Sequence, residues 1–320
     1  MRSPVVQGIL FIMLFCFVTS NMVYHGFLDS NFFTYTKNAF TQLYGSGVYQ
    51  YRILGKWLVL ELDGIIDPSG KDFFRSLFYV NTFFLILTGI VTVLLVNLKE
   101  MFIFSRSEKY LIIVLVPLLI NLTQYTVVPY DVSGYFFQLS IMYIFLAFYE
   151  TRYKFAMMSI SLLLILSTLN RESSAISVAF LVSVLILRDG FKTKAFASMC
   201  VFIWVFLLTY IFLRISIVNK PYSGVSFLAG YLTKYVNILG ILFWLLVAAF
   251  IYLLSDSQQN RNLIVFFHIL SLPYIFEVFH TGILWEMRLY IPLFLGGLFL
   301  CKLETSKFSA NTKIAFLKWL

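Results

Sequence analysis

Ten stretches of apolar residues run through this chain, and they constrain its fold more than any other feature. A helix needs about 20 apolar residues to cross a hydrocarbon core of about 30 Å. Of the 320 residues, 60% are hydrophobic and only 12% are charged, whereas a soluble domain carries about 25% charged residues. The sequence therefore predicts an all-α fold, a polytopic transmembrane helical bundle of about 10 spans. These cover residues 5–24, 76–97, 110–128, 132–149, 155–169, 174–187, 195–217, 236–255, 263–279 and 289–301.

The basic residues predict the orientation of these spans. Lys and Arg collect in the cytoplasmic loops of membrane proteins, which explains the net charge of +9 without a nucleic-acid partner. With the amino terminus inside, every short cytoplasmic connection carries at least one of them. The cytoplasmic residues are then Arg2, Lys99, Arg106, Lys109, Arg152, Lys154, Arg188, Lys192, Lys194, Arg261, Lys302, Lys307, Lys313 and Lys318. Both termini are predicted to be cytoplasmic. No internal repeat or linker is visible, so residues 1–320 are expected to form a single membrane-embedded domain.

The polar stretch 25–75 is the longest and most charged connection, and the orientation makes it the first external loop. Two amphipathic segments interrupt it, at residues 31–44 and 48–63. We expect both to form juxtamembrane helices that lie on the membrane surface and cover a site.

Charged residues from four different connections fall on the predicted external side. The spans 155–169 and 174–187 would reach only about 21–23 Å at 1.5 Å per residue, so their connecting tip is expected below the surface. A charge at that depth must pair or line a water-filled cavity. The sequence thus indicates an outward-facing polar cavity, or else a tip at which Arg171 and Glu172 only pair with each other. The residues of the predicted cavity are Asp29, Arg52, Asp131, Arg171, Glu172, Glu286 and Arg288.

Metal and nucleotide sites are not indicated. His25, His268 and His280 are scattered, and the three cysteines lie far apart inside apolar runs. The chain has no Gly-rich phosphate loop and no GxSxG motif. No metal and no cofactor are therefore expected.

Four short motifs, in this order along the chain, resemble segments of the GT-C superfamily of membrane glycosyltransferases. They are His25-Gly26-Phe27-Leu28-Asp29, Tyr51-Arg52-Ile53-Leu54, Asn170-Arg171-Glu172-Ser173-Ser174 and Glu286-Met287-Arg288-Leu289-Tyr290-Ile291-Pro292. In that superfamily the first external loop carries an acidic residue and forms two juxtamembrane helices. Bacterial members with this arrangement use polyprenyl-phosphate-linked sugars. Polysaccharide polymerases are the nearest neighbours of this resemblance.

The resemblance implies a transferase in the bacterial inner membrane, with an extracytoplasmic site. It would move a sugar from a polyprenyl-phosphate donor to a glycan or lipid-linked acceptor. Asp29 is the first candidate for the general base that deprotonates the acceptor hydroxyl, and Asp131 is the second. Arg52 and Arg288 are candidates for binding the departing phosphate. The supporting residues of the polar cavity would be Arg171, Glu172 and Glu286.

Two other functions remain open from the sequence. One is a lipid-linked oligosaccharide or O-antigen polymerase, which shares the general pattern. The other is a flippase or transporter of a lipid-linked saccharide, which could use the same arginines to bind a phosphate head group. Transporters commonly have repeated halves and broken helices near the midplane, and the sequence shows neither clearly.

Overall fold

The computed structural model of the protein describes residues 4–28, 37–45, 47–66, 73–98, 101–124, 128–217, 235–281 and 286–305. Most of these residues are helical. A π-helix, Met22–Leu28, continues the first α-helix, and two 3₁₀-helices cover Gly47–Tyr51 and Met287–Leu289. The α-helices are α1 (Pro4–Asn21), α2 (Lys37–Leu43), α3 (Ile53–Ile66), α4 (Phe73–Val96), α5 (Arg106–Leu122), α6 (Pro129–Phe148), α7 (Tyr153–Asn170), α8 (Ser174–Asp189), α9 (Thr193–Ser216), α10 (Tyr235–Leu253), α11 (Gln258–Leu270), α12 (Leu272–Thr281) and α13 (Ile291–Leu300).

Five helical segments in the described part of the chain are long and apolar enough to cross a membrane. A sixth is added if α11 and α12 are counted as one bent span. Such a set is typical of a multi-pass integral membrane protein. The five are Val5–His25, Phe73–Val96, Pro129–Phe148, Tyr153–Asn170 and Thr193–Ser216. Each of the ten predicted stretches overlaps a helix, but the remaining helices are too short or too bent to count as single spans by these criteria.

The ninth predicted stretch is a broken helix rather than a straight one. The axes of α11 and α12 differ by 50° across Ser271. Proline lacks a backbone N–H, so it cannot form the helical hydrogen bond to the carbonyl four residues earlier. Pro273, in the first turn of α12, therefore explains why α11 ends at Leu270.

Of the two stretches predicted to be short, 155–169 and 174–187, only the second remains short in the structure, and the helix of the last stretch, α13, is shorter still. The helix α7 has 18 residues and reaches about 27 Å, close to the thickness of the hydrocarbon core. By contrast, α8 has 16 residues and α13 has 10, so they reach only about 24 and 15 Å.

The centre of the bundle consists of α4 and α6. Most residues of these two helices are buried, whereas α1 and α9 leave most of their surface exposed. Close packing of α1 on α4 depends on Gly89, where an added Cβ would lie 2.7 Å from Ile12 Cγ1 and 3.2 Å from Cys16 Sγ. The exposed side chains of the outer helices, such as Leu14 and Ile215, are apolar, as lipid-facing residues are expected to be.

The connection between α1 and α4 contains two helices, which differ in extent from the predicted ones. The described part of the first is Lys37–Leu43, and the second is Ile53–Ile66, because a 3₁₀-helix occupies the start of the predicted segment 48–63. The helix α3 buries Gly55, Val59 and Asp63, spaced at four residues, and exposes Trp57 and Ile65. Asp63 fixes this helix to its neighbours, since it lies 2.9 Å from Lys37 Nζ and accepts a 3.2 Å hydrogen bond from Ser76.

At the carboxyl end of α4, the residues that follow α13 form hydrogen bonds with the α4–α5 connection. The N–H of Ile103 donates to the carbonyl of Lys302, and the N–H of Glu304 donates to Met101, both at 2.9 Å. The amide of Asn260, in α11, donates to the carbonyls of Cys301 and Leu303. We call residues 301–305 the C-terminal strap. It is bound to the α4–α5 connection by backbone hydrogen bonds and to α11 by the side chain of Asn260.

Candidate functional site

Seven charged side chains meet at the end of the bundle where α6 begins and α7 ends. They come from five separate parts of the chain, one of which is the α7–α8 connection with Arg171 and Glu172. Salt bridges link them into two groups, one around Asp131 and one around Glu172. We call the set the arginine–carboxylate cluster, consisting of Arg52, Asp131, Arg171, Glu172, Arg214, Glu286 and Arg288.

The group around Asp131 is almost completely buried. The Asp131 side chain has no exposed surface, and one of its carboxylate oxygens accepts from Arg171 Nη1 while the other accepts from Arg288 Nη1 at 2.9 Å. Arg288 also donates from Nε and Nη2 to Glu286 Oε2, at 3.1 and 2.9 Å. Three nitrogens of Arg288 are thus engaged by two carboxylates, so its charge is held in place within the protein.

The group around Glu172 forms the more accessible edge of the cluster. Arg52 Nε donates to Glu172 Oε2 at 3.3 Å, and Arg214 Nη2 lies 3.7 Å from Oε1. The side chains of Arg52, Glu172 and Arg214 are 12%, 20% and 30% exposed. Burial by itself would raise the pKa of Glu172, but the charge of Arg52, a backbone hydrogen bond and the charge of Arg214 outweigh it, so the pKa is lowered. Glu172 therefore remains ionised and holds both arginines.

Tyr130 connects the two groups through its aromatic ring. The guanidinium carbon of Arg52 lies 4.2 Å from the ring centroid, and that of Arg171 lies 5.5 Å from it. Arg52 also lies 5.1 Å from the ring of Tyr49. Cations at these distances are attracted by the negative face of the ring. The pair with Glu172 uses only Nε of Arg52, so that pair leaves its two terminal nitrogens for other acceptors.

A close contact between three helices positions the residues on either side of the cluster. An added Cβ on Gly55 would lie 3.3 Å from the backbone of Pro129 and Tyr130 and from Asn170 Oδ1. The amide of Asn170 donates to the carbonyl of Tyr130 at 2.7 Å and accepts from Ser133 Oγ at 2.9 Å. The absence of a side chain at Gly55 thus lets α3 pack directly on the start of α6 and the end of α7.

Three hydrogen bonds fix the segment that carries Glu286 and Arg288. The hydroxyl of Tyr135 donates to the carbonyl of Arg288, Tyr274 donates to Leu289, and the amide of Gln138 donates to Pro292, all at 2.8 Å. These bonds satisfy carbonyls at the start of a short helix that is surrounded by apolar side chains. They therefore hold the backbone of this segment, and with it Arg288, against α6 and α12.

The charges of the cluster do not balance. Four arginines face three carboxylates in the described structure, which leaves one positive charge. An uncompensated guanidinium in a site with little water favours an anionic group of a ligand, and its planar donors suit a phosphate. The accessible edge formed by Arg52 and Arg214 is where such a group could bind.

Six of the seven residues that the sequence placed in one polar cavity lie in this cluster: Arg52, Asp131, Arg171, Glu172, Glu286 and Arg288. Asp29, the first candidate for the general base, lies outside the described residues. The sequence predicts one polar cavity lined by all seven residues. Within the described part of the chain, the surroundings of Asp131 are packed, and exposed surface is found near Arg52 and Glu172.

Three residues of the site were not predicted as site residues from the sequence. Arg214 is the only charged residue between Ala195 and Ile217, and an ionisable residue within a span is by default a functional candidate. That signal was present in the sequence. Asn170 belongs to one of the four quoted motifs, but neither its role nor that of Tyr130 could be predicted, because both roles follow from contacts between helices distant in the chain.

The described residues contain no group of three or more His, Cys, Asp or Glu side chains placed to hold an ion. His268 lies away from the cluster, in α11, where Nδ1 lies 2.8 Å from the carbonyl of Ile264.

Comparison with known proteins adds no assignment. The chain matches no family model, no curated protein and no solved structure. What can be said of its function therefore rests on the residues and their geometry.

Proposed function

We propose that the protein is a membrane glycosyltransferase of the GT-C type. It transfers a sugar from a polyprenyl-phosphate donor to a glycan or lipid-linked acceptor at the extracytoplasmic face of the bacterial inner membrane. In this proposal about ten helical segments are embedded in the membrane and both termini are cytoplasmic. The amphipathic helices α2 and α3 lie at the membrane surface above the site. The observation that carries the proposal is the surplus positive charge of the arginine–carboxylate cluster, with Arg52 and Arg214 at its accessible edge.

The donor phosphate is proposed to bind at Arg52 and Arg214. Transfer breaks the bond between the anomeric carbon and the phosphate oxygen, so negative charge develops on the departing polyprenyl phosphate. Preorganised cations near that oxygen stabilise the transition state, by a few kcal/mol for each donor. Arg52 is oriented for this role by Glu172 and by the ring of Tyr130.

Asp131 and Arg288 are assigned a positioning role rather than direct chemistry. Both oxygens of Asp131 accept from guanidinium groups, and taking up a proton would weaken those ion pairs. Arg288 is similarly engaged by two carboxylates. We therefore keep Asp29 as the proposed general base, which takes the proton of the acceptor hydroxyl as its oxygen attacks the anomeric carbon.

A transfer assay in detergent tests this proposal. The purified protein is mixed in detergent with polyprenyl-phosphate hexoses or pentoses and with detergent-solubilised membranes as the source of acceptor, and release of free polyprenyl phosphate is measured against the same mixture without the protein. Two closed compartments are absent, so a flippase alone would release none. We expect release by the wild type, and failure with every sugar tested would reject the proposal.

Variants locate the chemistry within that assay. Asp29→Asn is expected to abolish release, and Arg52→Gln to lower it by about 100-fold or more, the magnitude typical of removing one electrostatic donor. The control is Lys56→Gln, which removes the same charge about one turn further along the chain. Lys56 makes no ion pair with a described residue, so this variant should retain activity. Equal losses in Arg52→Gln and Lys56→Gln would remove Arg52 from the mechanism, and turnover by Asp29→Asn would remove Asp29.

A further inference from the structure

A cavity lies at the other end of α4 from the arginine–carboxylate cluster. Its volume is about 870 Å³, and it is lined by residues of α1, the end of α4 and the start of α5. Its lining includes Val93, which is about 25 Å further along α4 than Ser76 at 1.5 Å per residue. Ligand sites commonly measure about 300–1,000 Å³, so the space is large enough for the head and upper chains of an amphiphile. None of its residues belongs to the proposed active site.

Two cations lie in the wall of the cavity, and the one partner that the described structure gives Arg106 there is the neutral Tyr110, to whose hydroxyl it donates from Nε and Nη2 at 3.4 Å. Arg106 and Lys109 begin α5 and line the cavity, and neither forms a salt bridge with a carboxylate of the described residues. The neighbouring Glu108 is engaged elsewhere: it accepts from the N–H of Ser105 at 2.7 Å and lies 3.1 Å from Lys302 Nζ. The nearest acid in sequence therefore does not neutralise these two cations.

The rest of the lining is mostly apolar and continues to the outer surface of the bundle. Phe11 and Val114 line the cavity together with the buried Ile113. Phe11 and Tyr110 are more than half exposed, and Phe11 belongs to a helix that is long and apolar enough to span a membrane. The opening of the cavity therefore adjoins the surface that faces acyl chains, with the cations at one end of it.

We infer that this cavity binds an anionic glycerophospholipid from the surrounding bilayer. The phosphate of the head group is held by Arg106 and Lys109, and the upper acyl chains lie against Phe11 and Val114. Basic pockets between membrane helices recognise acidic head groups through such charges. A free anion would gain nothing from the apolar wall, and a zwitterionic lipid carries no net charge to match the two cations. The inference does not depend on the proposed transferase activity.

Lipid retention by the purified full-length chain tests the inference. The protein in detergent is titrated with phosphatidylglycerol, with phosphatidylcholine and with inorganic phosphate, and bound lipid is measured by native mass spectrometry. We expect phosphatidylglycerol to bind at least about tenfold more tightly than phosphatidylcholine, a difference of 1.4 kcal/mol, and inorganic phosphate to leave its binding unchanged. Equal binding of the two lipids, or displacement of phosphatidylglycerol by millimolar phosphate, would overturn the inference.

Two pairs of variants assign the binding to this cavity. Arg106→Gln/Lys109→Gln should weaken phosphatidylglycerol binding at least about tenfold. The control Arg152→Gln/Lys154→Gln removes the same charge from two exposed residues at the start of α7 and should leave binding unchanged. Val114→Trp fills the cavity without changing the charge and should also weaken binding, whereas Leu111→Trp alters an exposed residue outside the lining and should not. Equal weakening within either pair would contradict the inference.

Discussion

Replacing Asp131 by Asn removes the central negative charge of the cluster with little change in shape. Two buried guanidinium groups then lose a partner. Arg288 retains Glu286, but Arg171 has no other carboxylate among the described residues. The side chains of both arginines are only 5–6% exposed, so water cannot replace the lost interaction. Leaving one charge of a buried pair uncompensated costs about 3–5 kcal/mol.

The expected loss is large enough to measure by thermal unfolding in detergent. At about 2 °C per kcal/mol, the low end for domains of 150–250 residues, Asp131→Asn should lower the apparent Tm by about 6–10 °C. The control is Glu150→Gln, because Glu150 pairs with Arg188 and Lys194 but its side chain is 58% exposed. An exposed pair contributes about 0–1 kcal/mol, so that variant should stay within about 2 °C of wild type.

A double variant separates the unpaired charge from other effects of the substitution. In the Asp131→Asn background, Arg171→Gln removes the guanidinium that was left unpaired. The double variant should therefore be no less stable than Asp131→Asn, with a coupling of about 0.5–3 kcal/mol between the two sites. Additive losses, or an Asp131→Asn protein that unfolds within 2 °C of wild type, would show that Asp131 does not balance buried charge.

The packing and the titration of the site give two further predictions. Gly55→Val should lower the free energy of unfolding by about 1–3 kcal/mol through overpacking, because its Cβ would lie 3.3 Å from the backbone of α6. The control is Gly64→Val, whose Cβ would have nothing within 4 Å and which should change stability by less than about 0.5 kcal/mol. Equal apparent Tm values for the two variants would refute the close approach of α3 to α6. The lowered pKa of Glu172 means that its ion pairs stabilise the fold above its ordinary value of 4.5 and are lost as the pH falls through its folded pKa. The difference in Tm between wild type and Glu172→Gln should therefore be largest near neutral pH and shrink below about pH 4.5, and a difference independent of pH would contradict this.

Local patterns in the sequence predicted the positions of the helices well. Hydropathy depends only on neighbouring residues, so all ten apolar stretches overlap helices of the structure. The exceptions have local causes too. Pro273 breaks the stretch 263–279, and the 3₁₀-helix at Gly47–Tyr51 delays the start of α3. Whether each short helix crosses a membrane does not follow from its length.

The convergence of charged residues could be predicted, but their pairing could not. Charges in short connections between apolar helices must find partners or water, and this argument brought six residues of the cluster together. The choice of partner depends on contacts between distant parts of the chain. Arg171 and Glu172 were expected to pair with each other or to line a cavity. In the structure Arg171 binds Asp131 and Glu172 binds Arg52 and Arg214, so the two residues do not pair with each other.

The C-terminal strap has a consequence for how this chain matures. The backbone groups of Met101 and Ile103 are bound by Lys302 and Glu304, which leave the ribosome only after all the helices between them have been made. Until then the α4–α5 connection must stay solvated or be shielded by other proteins. A nascent chain stopped before the strap would carry its helices, but the backbone groups of Met101 and Ile103 would lack the partners that Lys302 and Glu304 provide.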